Sequence, residues 1–590
     1  MNSFFKTFFA CFLAIIASSI FSFFAFFVII SMLSALLAPS APSYQSGSVL
    51  TINLTETIVD KEPVNPIELV DMGSFTFQKT LSITKILGAI ESAAVDPKIE
   101  GIYLNLSSAN SIGIANVTEI RDALKKFKES GKFIVSYSDV YSHSTYFMSS
   151  VADKIFLAPE GAMQWSGLSA QTMFFKGTLE KLGIVPEIIR HGKYKSAVEP
   201  FTQDKMSDEN REQTSALLNS VWGYMIGEVA AARSIDSALL QQYASDLSVV
   251  SSEDAVKLSL VDSLGYPAVA SEWINAKTGN SDFKSVSLYD YVHNNFESSS
   301  EYSKNKIALI FADGEIVSSA SENRGEISST VLCRNLKSVR EDETVKAVVL
   351  RINSPGGSAL ASDMIWNEVK LLRDKKPVVV SMGNVAASGG YYIAAPADII
   401  IAEPTTITGS IGVFGVLFNA EKGLKEKLGV TIDVVNTNRS ADMGSIARPL
   451  TDTERLFIQK GVERTYDTFV TKVAAGRNLT FDKVNQIAGG RVWSGADAVE
   501  NGLVDGFGGV KEAVSLAADR AGVADSFRIS VVGADQNSFT QIMSSMMEEV
   551  RVSFASSGVE QNISGQYDRV KRYMKGDKIM SVMPYTLTIE

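Results

Sequence analysis

At 590 residues the chain is too long for one hydrophobic core, and several domain-sized units are expected. A net charge of −11 argues against a nucleic-acid partner, because phosphate contacts require clustered Lys and Arg. With only two cysteines, Cys11 and Cys333, and three scattered histidines, neither a disulfide framework nor a metal-ligand pattern is expected, and no cofactor is implied.

The first element is apolar. Residues Thr7–Leu37 carry no charge. That run exceeds a secretory core of about 7–15 residues and reaches the roughly 20 needed to cross a bilayer. Residues 1–40 are therefore expected to form an uncleaved single-pass membrane anchor, followed by a polar linker over 41–48. Lys6 alone precedes the run, which favours a cytoplasmic N-terminus and an exported body.

The remainder reads as a duplication. "VLTINLTETIV" (Val49–Val59) has the rhythm of "IALIFADGEIV" (Ile307–Val317), and "GIYLNLSSANS" that of "AVVLRINSPGGS". "IVSYSDVYSHSTYFMSSVADKIFLAP" (Ile134–Pro159) aligns without a gap on "VVSMGNVAASGGYYIAAPADIIIAEP" (Val379–Pro404). "YKSAVEPFTQDKMSDENRE" likewise runs against "NRSADMGSIARPLTDTERL", and "SSEDAVKLSLVDSLGY" against "SGADAVENGLVDGFGG". Agreement in order over such lengths is the mark of an internal repeat. The expected organisation is a first repeat over 49–293, a linker over 294–306, a second repeat over 307–525 and a C-terminal extension over 526–590.

Within each repeat, short β-branched runs alternate with amphipathic stretches, the pattern of β-α units in mostly parallel sheets flanked by helices. "SDMIWNEVKLLRD" is expected to bury Met364, Ile365, Val369 and Leu372 on one helical face. Thr451 followed by Glu454 predicts a capping box at a long helix. "GVFGVLFNA" and the methionines of "QIMSSMMEEV" read as packing, and "GRVWSGADA" as a strand-to-helix turn.

The repeat also separates candidate chemistry. His143 falls opposite Ser388, Lys195 opposite Arg439, and Asn110 and Ser111 opposite Gly356 and Gly357. Ser388, between alanines and glycines, is either a nucleophile at a helix start or a small residue in a turn. The Gly-rich surroundings in one copy alone favour the nucleophile, with exposed N–H groups near Gly356, Gly357 and Gly389 as oxyanion donors. No histidine follows His293, and His143 falls at the mirror position, so Lys195 is the candidate base. Its ordinary pKa of about 10.4 would have to fall through burial.

Together and in this order, "LRINSPGGS", "GNVAASGGYYIAAPAD", "TGSIGVFG" and "GKYKSAVEPF" resemble the signal peptide peptidase A (protease IV) family, in its long, double-repeat, membrane-anchored form. The resemblance covers nearly the whole chain. It implies tandem Clp-protease-like, crotonase-related α/β domains and a Ser/Lys dyad of Ser388 and Lys195. Ser410 is implied to orient the lysine, and Gly356, Gly357 and Gly389 map to the oxyanion and substrate backbone. It further implies released signal peptides as substrates, a homotetramer, and a bacterial inner membrane location with the body on the periplasmic side. Two other readings stay open: a crotonase-type acyl-CoA enzyme and a non-catalytic peptide-binding scaffold.

Overall fold

The β-branched runs of both halves become strands. A computed structural model describes Ser18 and residues 44–61, 70–71, 76–77, 80–296, 303–319, 325–533 and 580–583. The expected anchor over 1–40 lies outside the described residues apart from Ser18, as do residues 41–43 of the first linker, 297–302 of the second and the "QIMSSMMEEV" stretch. Among the described residues no helix is long and apolar enough to cross a membrane.

In the first half β1 (Ser48–Ile52), β2 (Ile99–Asn105), β3 (Phe133–Tyr141), β4 (Lys154–Met163), β5 (Val185–His191), β6 (Ser263–Leu264) and β7 (Lys284–Ser287) follow in order. All but β5 form one parallel sheet, in the order β6-β4-β3-β2-β1-β7. The second half supplies β8 (Lys306–Asp313), β9 (Glu315–Val317), β10 (Glu326–Ser328), β11 (Val345–Ser354), β12 (Gly356–Ser358) and β13 (Val378–Ala387). It continues with β14 (Ile399–Ala402), β15 (Ile407–Gly409), β16 (Val413–Asn419), β17 (Val492–Ser494), β18 (Gly506–Phe507), β19 (Arg528–Val532) and β20 (Met580–Val582). Its main sheet runs β17-β15-β13-β11-β8-β19, with β14 and β18 attached beside β13. Only β15 and β17 pair antiparallel in that sheet. The edge strand β19, which the sequence expectation assigns to a C-terminal extension, pairs with β8 as β7 pairs with β1.

The parallel strands are covered on both faces, which explains why "AVVL" and "PVVV" are continuous apolar runs without alternation. Val348, Val349, Leu350, Val378, Val379 and Val380 are all fully buried. The helices relevant to the site are α1 (Ile114–Lys128), α2 (Asp208–Arg233), α3 (Ala359–Arg373), α4 (Gly389–Ala394) and α5 (Asp452–Arg477). Helix α3 buries Ile365, Val369 and Leu372 as expected, but Met364 is 46% exposed. Met364 lies one residue from Ile365 on the helical wheel, just past the edge of the stripe.

The duplication persists in detail. Helices α2 and α5 each span 26 residues, start after a capping Ser207 or Thr451, and end on a left-handed Ser234 or Asn478. The expected box at α5 is formed: Glu454 N–H donates to Thr451 Oγ1 and Thr451 N–H to Glu454 Oε2.

The halves do not fold as separate beads. One core cluster runs from Leu50 and Ile102 through Ile307, Val349 and Val379. A buried ion group rivets the same seam. Arg351 on β11 donates through Nε to Asp60 Oδ1 at 2.8 Å and lies 2.6 Å from Glu119 Oε1 on α1. It also donates to Ser381 Oγ, the Met382 carbonyl and Asn116 Oδ1. A third sheet crosses the seam in the order β10-β9-β12-β20-β16-β5, with β5 alone from the first half.

Replacing Arg351 by Met should leave Asp60 and Glu119 buried without their common cation, lowering stability by about 3–5 kcal/mol. Denaturant unfolding measures the loss. The triple variant that adds Asp60→Asn and Glu119→Gln should recover part of it.

Candidate active site

Ser388 stands between the end of β13 and the start of α4 with φ +57° and ψ −114°, a conformation that a side-chain-bearing residue adopts only under constraint. Its surroundings impose that turn: Ser388 N–H donates to the Gly409 carbonyl at 2.8 Å, and Tyr392 N–H to the Ser388 carbonyl at 2.9 Å. The sister turn in the first half is relaxed. There His143, the residue opposite Ser388, has no positive φ and begins a short helix capped by Ser142 at φ −74°.

Lys195 reaches this place through β5. That strand pairs antiparallel with β16 over seven positions, from Val185 opposite Asn419 to His191 opposite Val413. The first half thereby lends the second a strand whose continuation, "GKYKSAV", turns back into the interior. Lys195 Nζ lies 2.7 Å from Ser388 Oγ, 3.0 Å from Ser410 Oγ and 3.0 Å from the Ser410 carbonyl oxygen. All three residues are completely buried. Burial holds the Lys195 amine well below its ordinary value of 10.5. Ser410, at φ +51°, is tied by its N–H to the Arg491 carbonyl, so its carbonyl and hydroxyl both face the amine.

Two glycines fix the lysine stem, and their role was not legible in the sequence. Gly490 has φ +86°, and a β-carbon there would lie 2.6 Å from the Lys195 backbone nitrogen and Cβ. Gly412 approaches Gly490 and the Lys195 Cδ. Tyr194 N–H donates to the Gly489 carbonyl, closing the loop against this doublet. The Gly489–Gly490 pair before "RVWSG" was the available signal.

The mapped glycines differ in what they offer. Gly356, at φ +102°, donates its N–H to Ser354 Oγ at 3.2 Å. Gly356 and Gly357 belong to β12, whose edge pairs antiparallel with β20. Close packing demands glycine at Gly389: a β-carbon there would sit 3.1 Å from both Gly356 Cα and Gly357 N, and nearer still to Ser362 Oγ.

The histidines serve elsewhere. His143 Nε2 accepts from Ser166 N–H and its ring packs edge-on to Trp222, while His191 stacks on Tyr466 at 4.0 Å. Arg439, the repeat partner of Lys195, is exposed. The strand from "GVFGVLFNA", expected only to pack, is β16; it packs through Phe414, Val416 and Phe418 and also walls the cleft beside β20. Among the described residues no cluster of His, Cys, Asp and Glu could hold a metal ion.

A hydroxyl on a strained turn, 2.7 Å from an amine whose charge burial disfavours, is suited to nucleophilic attack with proton transfer. Comparison with known proteins agrees. The model of peptidase family S49 matches twice, at residues 126–279 and 370–524, and that of the Clp protease at residues 299–405. A chloroplastic serine protease SPPA of Arabidopsis thaliana is 32% identical over 89% of this chain and 76% of its own. Protease 4 of Salmonella typhi is 36% identical over 80% of this chain and 78% of its own. Protease 4 of Haemophilus influenzae is 37% identical over 74% and 73% respectively. The acyl-CoA and scaffold readings give way to these matches, and the α/β halves with mostly parallel sheets are Clp-protease-like. With two copies of the domain and relatives alike along most of its length, the chain belongs to peptidase family S49 and is a serine protease.

Proposed function

We propose that the chain is a membrane-anchored endopeptidase in which Ser388 is the nucleophile and Lys195 the general base, acting on short hydrophobic or unfolded peptides, released signal peptides among them. The observation that carries this reading is the 2.7 Å approach of a fully buried lysine amine to the Ser388 hydroxyl. An uncharged amine has two N–H bonds and one lone pair. Ser410 offers two acceptors to those N–H groups, its carbonyl and its hydroxyl, which leaves the lone pair for Ser388.

The chemistry then runs in two halves. Ser388 Oγ attacks the peptide carbonyl carbon as its proton passes to Lys195 Nζ. The lysinium gives that proton to the departing amine, the C–N bond breaks, and an acyl ester remains on Ser388. Water then donates a proton to Lys195, attacks the ester, and the returning proton restores the serine hydroxyl. The Gly389 backbone N–H, adjacent to the nucleophile, is the donor assigned to the oxyanion.

The uncharged run Thr7–Leu37 supports single-pass anchoring, Lys6 ahead of it supports a body outside the cytoplasm, and the family resemblance supports a bacterial inner membrane. The family resemblance supports a homotetramer. Light scattering of the detergent-solubilised chain tests the assembly, and protease accessibility in spheroplasts tests the orientation.

Ser388→Ala and Lys195→Ala should each lower kcat/KM on a fluorogenic peptide by at least about 10³-fold, with the circular-dichroism spectrum unchanged. Near-normal turnover by Lys195→Ala would overturn the dyad. Gly490→Ala should bring a comparable loss, because its β-carbon displaces the lysine backbone at a left-handed position.

The buried amine also makes a stability prediction. Its folded pKa lies below the unfolded value, so the unfolded chain binds the extra proton and stability rises with pH between the two values. Lys195→Met removes this dependence. The stability gap between Lys195→Met and the parent should widen by about 1.4 kcal/mol for each pH unit lowered from 10 until the folded amine itself protonates. The activity limb of the parent should rise through the same depressed pKa, well below 10.5.

A further inference from the structure

Beside Ser388 the edges of β12 and β16 are paired by a later segment of the chain itself. Strand β20 lies antiparallel between β12 and β16, with Met580 opposite Ser358, Ser581 opposite Gly357 and Val582 opposite Gly356. Met580 also pairs with Phe414, and Met583 N–H donates to the Pro355 carbonyl at 2.7 Å. Side chains alternate as in any strand. Met580 and Val582 enter an apolar pocket with Leu179, Val198, Phe201, Phe414 and Phe418. Ser581 points the other way: its hydroxyl lies 2.6 Å from Ser388 Oγ, and it is completely buried. A β-carbon at Gly356 would collide with the Ser581 carbonyl oxygen, so that glycine is what lets this backbone come so close.

An extended segment added to the edge of β12, apolar–small–apolar, with its middle residue against the serine, is how a protease groove holds peptide by strand addition. We propose that Met580–Met583 is an intramolecular competitor of the peptide substrate, seated in the groove along the line a substrate takes. This rests on the reading of Ser388 as nucleophile. The groove accordingly favours peptides with a small residue facing Ser388 and large apolar residues on either side.

A groove free in only one molecule of ten binds substrate with an apparent affinity about tenfold weaker. Two variants of the full-length protein test the proposal, deletion of residues 580–590 and Val582→Asp, which places a charge in the apolar pocket. Each should lower KM for a short fluorogenic peptide about tenfold and raise the rate of Ser388 labelling by a fluorophosphonate to a similar degree, with kcat little changed. A synthetic peptide "KIMSVMPY" (residues 578–585) should then inhibit the deletion variant competitively. Unchanged KM and labelling rate in both variants would overturn the proposal. So would a folded deletion variant that cannot be labelled, since the segment would then be a structural part of the site. If Ser388→Ala retained activity, the nucleophile reading would fail instead, and the two failures are thus distinct.

Discussion

The structure turns on an amine kept out of water. Lysine in solvent is charged and useless as a base, and one way to make it a base is to deny it both water and an opposing carboxylate. Lys195 meets that condition: it is fully buried, its Nζ contacts are the hydroxyls of Ser388 and Ser410 and the Ser410 carbonyl, and burial is the cause of its lowered pKa. Such a site needs a thick interior around it. A shared core over both repeats supplies that, which gives a physical reason for a single site to draw on two domains.

The same requirement explains the seam. Strand β5 must cross to the second half and pair with β16 for Lys195 to arrive, so the halves cannot drift. The shared cluster and the Arg351 group with Asp60 and Glu119 hold them in register. Buried charges are a poor source of net stability, but they penalise any arrangement in which the two carboxylates lose their cation. In this protein that penalty fixes the relation between repeats, and with it the distance between amine and hydroxyl. Divergence of the copies follows: the turn strained at Ser388 in one half is relaxed at its counterpart His143 in the other, and the lysine buried in one half is matched by an exposed arginine in the other.

Apolar packing and catalysis also meet on β16. Its aromatic face reads as ordinary core because Phe414 and Phe418 are indeed buried. What buries them includes β20, a segment from far along the chain. Hydrophobic pattern alone does not distinguish a wall from a core, since both exclude water in the same way.

Much was nevertheless determined by sequence. Strand runs, the Thr451 capping box, the gapless repeat and the scarcity of histidine are local or one-dimensional properties, and together with the family resemblance they singled out Ser388 and Lys195. Met364 escaped because the boundary of a helical stripe depends on what packs against it. The pressure of Gly490 and Gly412 on the lysine, the crossing of β5, the strain at Ser388 and the seating of β20 in the cleft were decided only in three dimensions. Each joins residues dozens to hundreds of positions apart through contacts that neither periodicity nor local preference encodes, and it is the packing of the whole chain that brings them within reach.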